Sequence, residues 1–250
     1  MVKKRTLPLL FGLFLLLMWQ IFTNQQSLMP TPTQAITALN NLLQNGYNGI
    51  SFMSHFSISM IRLFKAVFFA ILVGLPLGLI SGYYEGFRIT IEPFINFYKP
   101  LPPLSYYVLL IMWLSIDEDS KVMLLFLAAF APIYVATTSA VLGVNEKYIL
   151  SAKSLGASNL HIFKTVILPA SLPGIMTGIK TAVSVAYTTL ASAEMIAATS
   201  GLGWIVMDAY NYLKTDVVVA VIFVMGTTGV LLDFGIDHFN QRFIFWKGKL

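Results

Sequence analysis

Six stretches of the chain are apolar over lengths that reach or approach a membrane crossing: Leu7–Phe22, Ser57–Tyr83, Phe94–Ser115, Val122–Leu142, Ser171–Thr199 and Val217–Ile236. A crossing takes about 20 residues for about 30 Å of hydrocarbon. The pattern therefore predicts an all-α integral membrane protein with six transmembrane helices. Within the second stretch, Gly74, Gly78 and Gly82 recur every four residues with Pro76 between them, leaving a flat strip where another helix backbone can approach. The third is interrupted by Pro100, Pro102 and Pro103, and Leu104 to Ser115 alone spans only about 18 Å at 1.5 Å per residue. An interrupted membrane helix is tolerated where it is buried in protein or lines a cavity, so this segment is a candidate wall of a substrate path; a simple prolyl kink is the competing reading. Between the first two stretches, Pro30 and Pro32 stop the chain. Thr33 is placed to cap a short helix with Ile36, Leu39 and Leu43 on one face, ended by Asn45 and Gly46 and expected on the outer membrane surface.

Composition agrees with the pattern. Of 250 residues, 57% are hydrophobic and 11% charged, against roughly 25% charged in soluble domains. The net charge of +5 is not arranged as a basic stripe interleaved with exposed aromatics, so no nucleic-acid partner is expected. Cysteine is absent, which excludes disulfides and thiolate chemistry. The first stretch follows MVKKR and resembles a signal peptide in form, but Thr23 to Gln26 (TNQQ) offers no small-x-small cleavage site, so an uncleaved anchor is expected. Lysine and arginine accumulate on cytoplasmic loops. With both termini inside, Lys3, Lys4, Arg5, Arg88, Lys99, Lys147, Lys153, Lys164, Arg242, Lys247 and Lys249 are cytoplasmic, eleven of the sixteen. Lys121, Lys214 and the acids Asp117, Glu118 and Asp119 then fall outside. The expected organisation is an anchor with an external amphipathic segment over residues 1–56, a core membrane domain over 57–240, and a cytoplasmic tail over 241–250.

Inside the core, residues 144–170 form a polar, cation-bearing loop between two long apolar helices. Gly143 and Asn145 end the fourth span, and Glu146 to Leu155 is predicted helical. Gly156 permits the positive φ of a sharp turn, Ser158 can cap a second helix, and Pro169 is expected to stop that helix before the fifth span. Leu160, Phe163, Val166 and Ile167 then share one helical face. An ordinary loop lying on the headgroups is the plain reading of such a segment. A helix, turn, helix elbow offered to a cytoplasmic partner is the functional one.

The loop resembles that of permease subunits of ATP-binding-cassette (ABC) importers, which carry the pattern E-A-A, three residues, G, nine residues, I-x-L-P. Here Leu150, Ser151 and Ala152 are followed by three residues ending at Leu155, then Gly156, then nine residues beginning Ala157 and Ser158, then Val166, Ile167, Leu168 and Pro169. A pattern of that length between membrane helices is far more specific than a lone glycine motif. Two positions depart from it: Leu150 stands where the family often has glutamate, and Ser151 replaces the first alanine. HFSISMIR, GLPLGLISG, YKPLPPLSY and SLGAS are similar to segments of the nitrate, sulfonate and taurine branch, and TTLASAEMIAATSGLGWIV and FWKGK are most like its taurine permeases. The resemblance implies the type I importer permease fold, in the inner membrane. It also implies a second permease copy, cytoplasmic ATPase subunits holding ATP and Mg, an external substrate-binding protein, and an elbow whose Leu160, Phe163 and Val166 dock in a groove of the ATPase. The chain itself would bind no cofactor and perform no chemistry. GIMTGIKT, residues 174–181, lacks the spacing of a phosphate loop.

Charged residues within spans are costly and become functional candidates. Arg62 is expected either to meet a sulfonate through its guanidinium fork or to pair with Glu194 near the outer end of the fifth span. Lys180 lies 14 residues before Glu194, about 21 Å along a continuous helix, and is expected to snorkel to the inner interface or to help an anionic substrate leave. Lys65 reads as a snorkelling residue. His55, His161 and His238 have no metal-ligand spacing and read as surface residues. A secondary transporter or channel would be expected to show mid-membrane acids or half-repeats, and an intramembrane hydrolase would need a nucleophile with a base at depth; neither pattern is present. Taurine or a related sulfonate is the expected cargo, nitrate or another small solute the alternative.

Overall fold

The structure, a computed structural model, describes residues 3–23 and 29–243. The TNQQ run beyond Thr23 and the tail with Trp246, Lys247 and Lys249 lie outside the described residues. The described chain is helical: α1 (Lys3–Phe22), α2 (Pro32–Asn45), α3 (Phe52–Tyr83), α4 (Glu85–Tyr98), α5 (Pro103–Leu114), α6 (Glu118–Leu142), α7 (Glu146–Ser154), α8 (Asn159–Ile162), a π turn (Phe163–Ile167), α9 (Leu168–Ala197), α10 (Leu202–Asn211) and α11 (Thr215–Phe243). Among the described residues, four stretches are long and apolar enough to cross a membrane: Phe52–Tyr83, Glu118–Leu142, Asn159–Ala197 and Thr215–Arg242. Leu10–Phe22 and Pro103–Leu114 are shorter apolar helices. The proline run thus gives a break between α4 and α5, not a kink within one helix, because Pro102 and Pro103 cannot donate backbone hydrogen bonds to a preceding turn. The separate helix α10 has no counterpart among the six predicted stretches, and α4 overlaps the third only over residues 94–98.

The chain divides into two compact units, residues 1–59 with 194–228, and residues 60–193 with 229–250. In the first, Thr31 caps α2 and exchanges a reciprocal capping box with Gln34, so the cap falls two residues before the predicted Thr33. The buried stripe of α2 is Ala35, Ala38 and Leu42, while Ile36 and Leu43 stay exposed. The predicted apolar face is therefore the outward one; the protein side is made of smaller residues that allow close approach. Leu42, Tyr47 and Phe52 pack with Leu202, Ile205, Val206, Ala209 and Val221 into this unit's core.

In the second unit, α6 is gripped between two glycine strips. A Cβ at Gly78 would stand 2.6 Å from Thr137 Cβ and one at Gly82 2.5 Å from Val141 Cβ, with Gly74 against Ile133. On another side, Gly174 and Gly178 abut Ala140 and Ala136. Lipid tails are as apolar as leucine, so membrane helices associate through such close packing and through interhelical hydrogen bonds. Both are present: Thr138 donates to the Gly78 carbonyl at 3.2 Å and Tyr134 to Ser81 at 2.8 Å.

Candidate functional site: the loop elbow and the buried charges

The elbow forms as its local chemistry dictates. Asn145 caps α7 by accepting from Lys147 N–H at 3.0 Å. Gly156 takes φ +78° and turns the chain, and Ser158 accepts from His161 N–H to cap α8. Beyond α8 the structure departs from expectation. Pro169 does not stop the helix, because a π turn carries it straight into α9: Leu168 N–H reaches back five residues to the Phe163 carbonyl, and Pro169, next in line, has no N–H to place. The wider turn changes which side chains share a face. Ile162 and Ile167, five apart, are the buried pair; they pack with Val141, and Phe163 and Val166 lie partly buried against them. Phe163 also meets Tyr83 edge to face at 5.3 Å. Of the face expected to dock, Leu160 is left outward, 63% exposed, joined by Leu150 at 51% and Leu155 at 88%. Ser151 is exposed, and Ala152, Ala157, Leu168 and Pro169 are intermediate.

The buried charges are more organised than the sequence suggested. Arg62, 2% exposed, donates through Nε to Glu118 at 2.6 Å and through Nη2 to the other oxygen, a two-pronged grip. Lys121, expected on an outer loop, is instead 3% exposed and donates to the Ile116 and Asp117 carbonyls. It lies 3.9 Å from Glu118, so the middle acid of the predicted external cluster answers two cations. Glu194 belongs to the other unit. It is 1% exposed and accepts from Ser59 Oγ at 2.7 Å and from Gly203 N–H at 2.9 Å. Gly201, at φ +118°, leaves room for it: a Cβ there would stand 2.4 Å from Glu194 Cδ. Ser59 in turn accepts from Leu202 N–H, and His55 Nδ1 from Gly201 N–H, at 2.9 and 3.1 Å. These bonds hold the loop entering α10. His55 is therefore a fully buried structural residue stacked on Trp204, not a surface one; His161 and His238 are exposed. Beside it, burial and the hydrogen bond it donates to Asp208 push the Tyr47 phenol well above its ordinary value, so it remains a donor.

Lys180 reaches Asp233 at 2.9 Å and Asp237 at 2.8 Å, acids one helical turn apart on α11. Period-based reading of one helix at a time gave no signal for this triad, or for Arg62 with Glu118. Lys65 is exposed.

The chain is similar to known transport proteins. The chain is 37% identical to the taurine transport system permease protein TauC of Escherichia coli, over 89% of this chain and 81% of that protein. It is 28% identical to an aliphatic sulfonates transport permease protein, SsuC, of Bacillus subtilis, over 96% and 87%. It is also 28% identical to the nitrate import permease protein NrtB of Synechocystis, over 88% and 82%. In fold it matches a chain of the inward-facing MetNI methionine ABC transporter with a TM-score of 0.66 at 21% identity, covering 74% of this chain and 93% of that one. The family described as binding-protein-dependent transport system inner membrane component matches residues 74–245, from the first glycine of the packing strip through the elbow and the whole of α11, and the chain belongs to that family.

Proposed function

We propose that this chain is the permease subunit of an ABC importer for taurine or a related sulfonate, working as a homodimer with two cytoplasmic ATPase subunits and an external binding protein. The carrying observation is the elbow. The turn at Gly156, followed by the Ser158 cap of α8, holds Leu150, Leu155 and Leu160 outward. Three exposed leucines on a short polar segment suit a groove on a soluble partner. Through the π turn the elbow is continuous with α9, so displacement of α8 by ATPase closure is passed to a membrane-spanning helix without an intervening flexible link. ATP and Mg belong to the partner, and this chain supplies path and coupling. With both termini cytoplasmic, the elbow faces the nucleotide. The glycine strips keep α3, α6 and α9 closely packed, so they tilt together.

Support for taurine over nitrate comes from the relatives: the taurine permease is 37% identical, the nitrate permease and the Bacillus subtilis aliphatic sulfonates permease 28% each. Reconstitution of the permease with its ATPase and binding protein in proteoliposomes tests the proposal. ATP-dependent uptake of taurine is expected. Uptake without ATP would sink the mechanism, and ATP-driven uptake of nitrate alone would sink the substrate.

A further inference from the structure

A cavity of about 330 Å³ opens between α9 and α11, lined by Val183, Ser184, Tyr187, Thr188, Val230 and Asp233 among others. That is the lower end of small-ligand sites, which run about 300–1,000 Å³. Its polar groups share one character. Ser184 Oγ donates its hydrogen to the Lys180 carbonyl at 3.2 Å, and Thr188 Oγ1 donates to the Val185 carbonyl at 2.9 Å. A hydroxyl whose proton is spent on its own helix presents only lone pairs to a neighbouring space. Asp233 adds a carboxylate whose side chain is 48% exposed. Lys180, which pairs with Asp233, does not line the cavity and is shared between Asp233 and Asp237, so these three groups retain one uncompensated negative charge. Tyr187 places an aromatic ring in the wall, which also favours a cation. Three acceptors, excess negative charge and an aromatic ring in apolar surroundings suit a compact cation that donates several hydrogen bonds. They suit a nitrate or sulfonate oxygen poorly.

We propose that this cavity binds the ammonium end of a zwitterionic cargo, with Asp233 as its counter-ion and Ser184 and Thr188 as acceptors. Resting on the sulfonate reading of the function, it narrows the cargo to aminosulfonates over sulfonates that lack the amine. The permease–ATPase complex in nanodiscs, titrated with taurine and with 2-hydroxyethanesulfonate under saturation-transfer NMR, tests it. Taurine is expected to bind, the hydroxyl analogue to bind about ten-fold or more weakly, and Asp233→Asn to remove that difference by weakening taurine about ten-fold. Asp237→Asn, which breaks the other Lys180 pair but touches no cavity wall, is expected to keep taurine bound. No taurine binding, equal binding of the two ligands, or undiminished taurine binding by Asp233→Asn would overturn the proposal. If Asp233→Asn yields no folded complex, Thr188→Val decides, since it keeps shape and charge but removes an acceptor; unchanged taurine binding there overturns it. The uptake assay fails or succeeds separately: taurine bound but not moved by ATP would refute the importer reading and leave the cavity standing.

Discussion

Glu194 is buried and hydrogen-bonded within its unit, and its neighbours explain the glycines that follow it. A carboxylate that is 1% exposed needs donors, and Ser59 and the backbone of Gly203 are among them, with Gly201 leaving the space that a Cβ would fill. Gly201→Ala introduces a clash with the carboxylate and a residue at φ +118°, so a loss of about 1–3 kcal/mol is expected, read as a lower melting temperature in detergent. Glu194→Ala leaves Ser59 and Gly203 without this acceptor, for a further expected loss of about 1–3 kcal/mol per unsatisfied group. A variant as stable as the parent would show that the contacts are incidental. Arg62 makes a different case. Its fork meets both oxygens of Glu118, and lysine cannot reproduce that geometry, so Arg62→Lys is expected to lower transport even though it keeps the charge. Full transport by Arg62→Lys would mean that charge alone matters there.

Among elements, the elbow and α6 carry the testable geometry. Gly156 sits at φ +78°, which proline, fixed near −65°, cannot adopt. Gly156→Pro is therefore expected to abolish ATP-driven transport while leaving a correctly inserted protein; normal transport would count against the elbow as the coupling element. At Gly78 even alanine must displace Thr137, whose Cβ would be 2.6 Å away, so Gly78→Ala is expected to cost about 1–3 kcal/mol and Gly78→Leu to prevent folding, checked by thermal unfolding and by size-exclusion profile. The elbow also marks where periodicity failed. An α-helical period put Leu160, Phe163 and Val166 on one face, but the π turn buries Ile162 with Ile167 and draws Phe163 and Val166 inward. A proline whose missing N–H follows the turn is the only trace of it in the sequence, and that trace is equally compatible with a helix stop.

At the scale of the molecule, coupling requires that hydrolysis at one surface move helices across the membrane, so proteoliposomes holding the whole importer are expected to stop accumulating taurine when ATP is replaced by a non-hydrolysable analogue. Continued accumulation would show that hydrolysis does not drive the transport. The helical class, the apolar spans, the glycine strip, the turn at Gly156 and the cap at Ser158 could all be read from the residues alone, whereas the proline run left a break and a kink both open and Asn145 read only as the end of a span. Each depends on neighbours within a few positions, or on a length compared with a bilayer. Glu118 as the partner of Arg62, Asp233 and Asp237 around Lys180, the burial of His55 and Lys121, and the acceptor-lined cavity could not. Those partners lie tens of residues apart on different helices, and helix periodicity fixes which side of its own helix a residue occupies without fixing which helix it faces. Only the packed helices decide that.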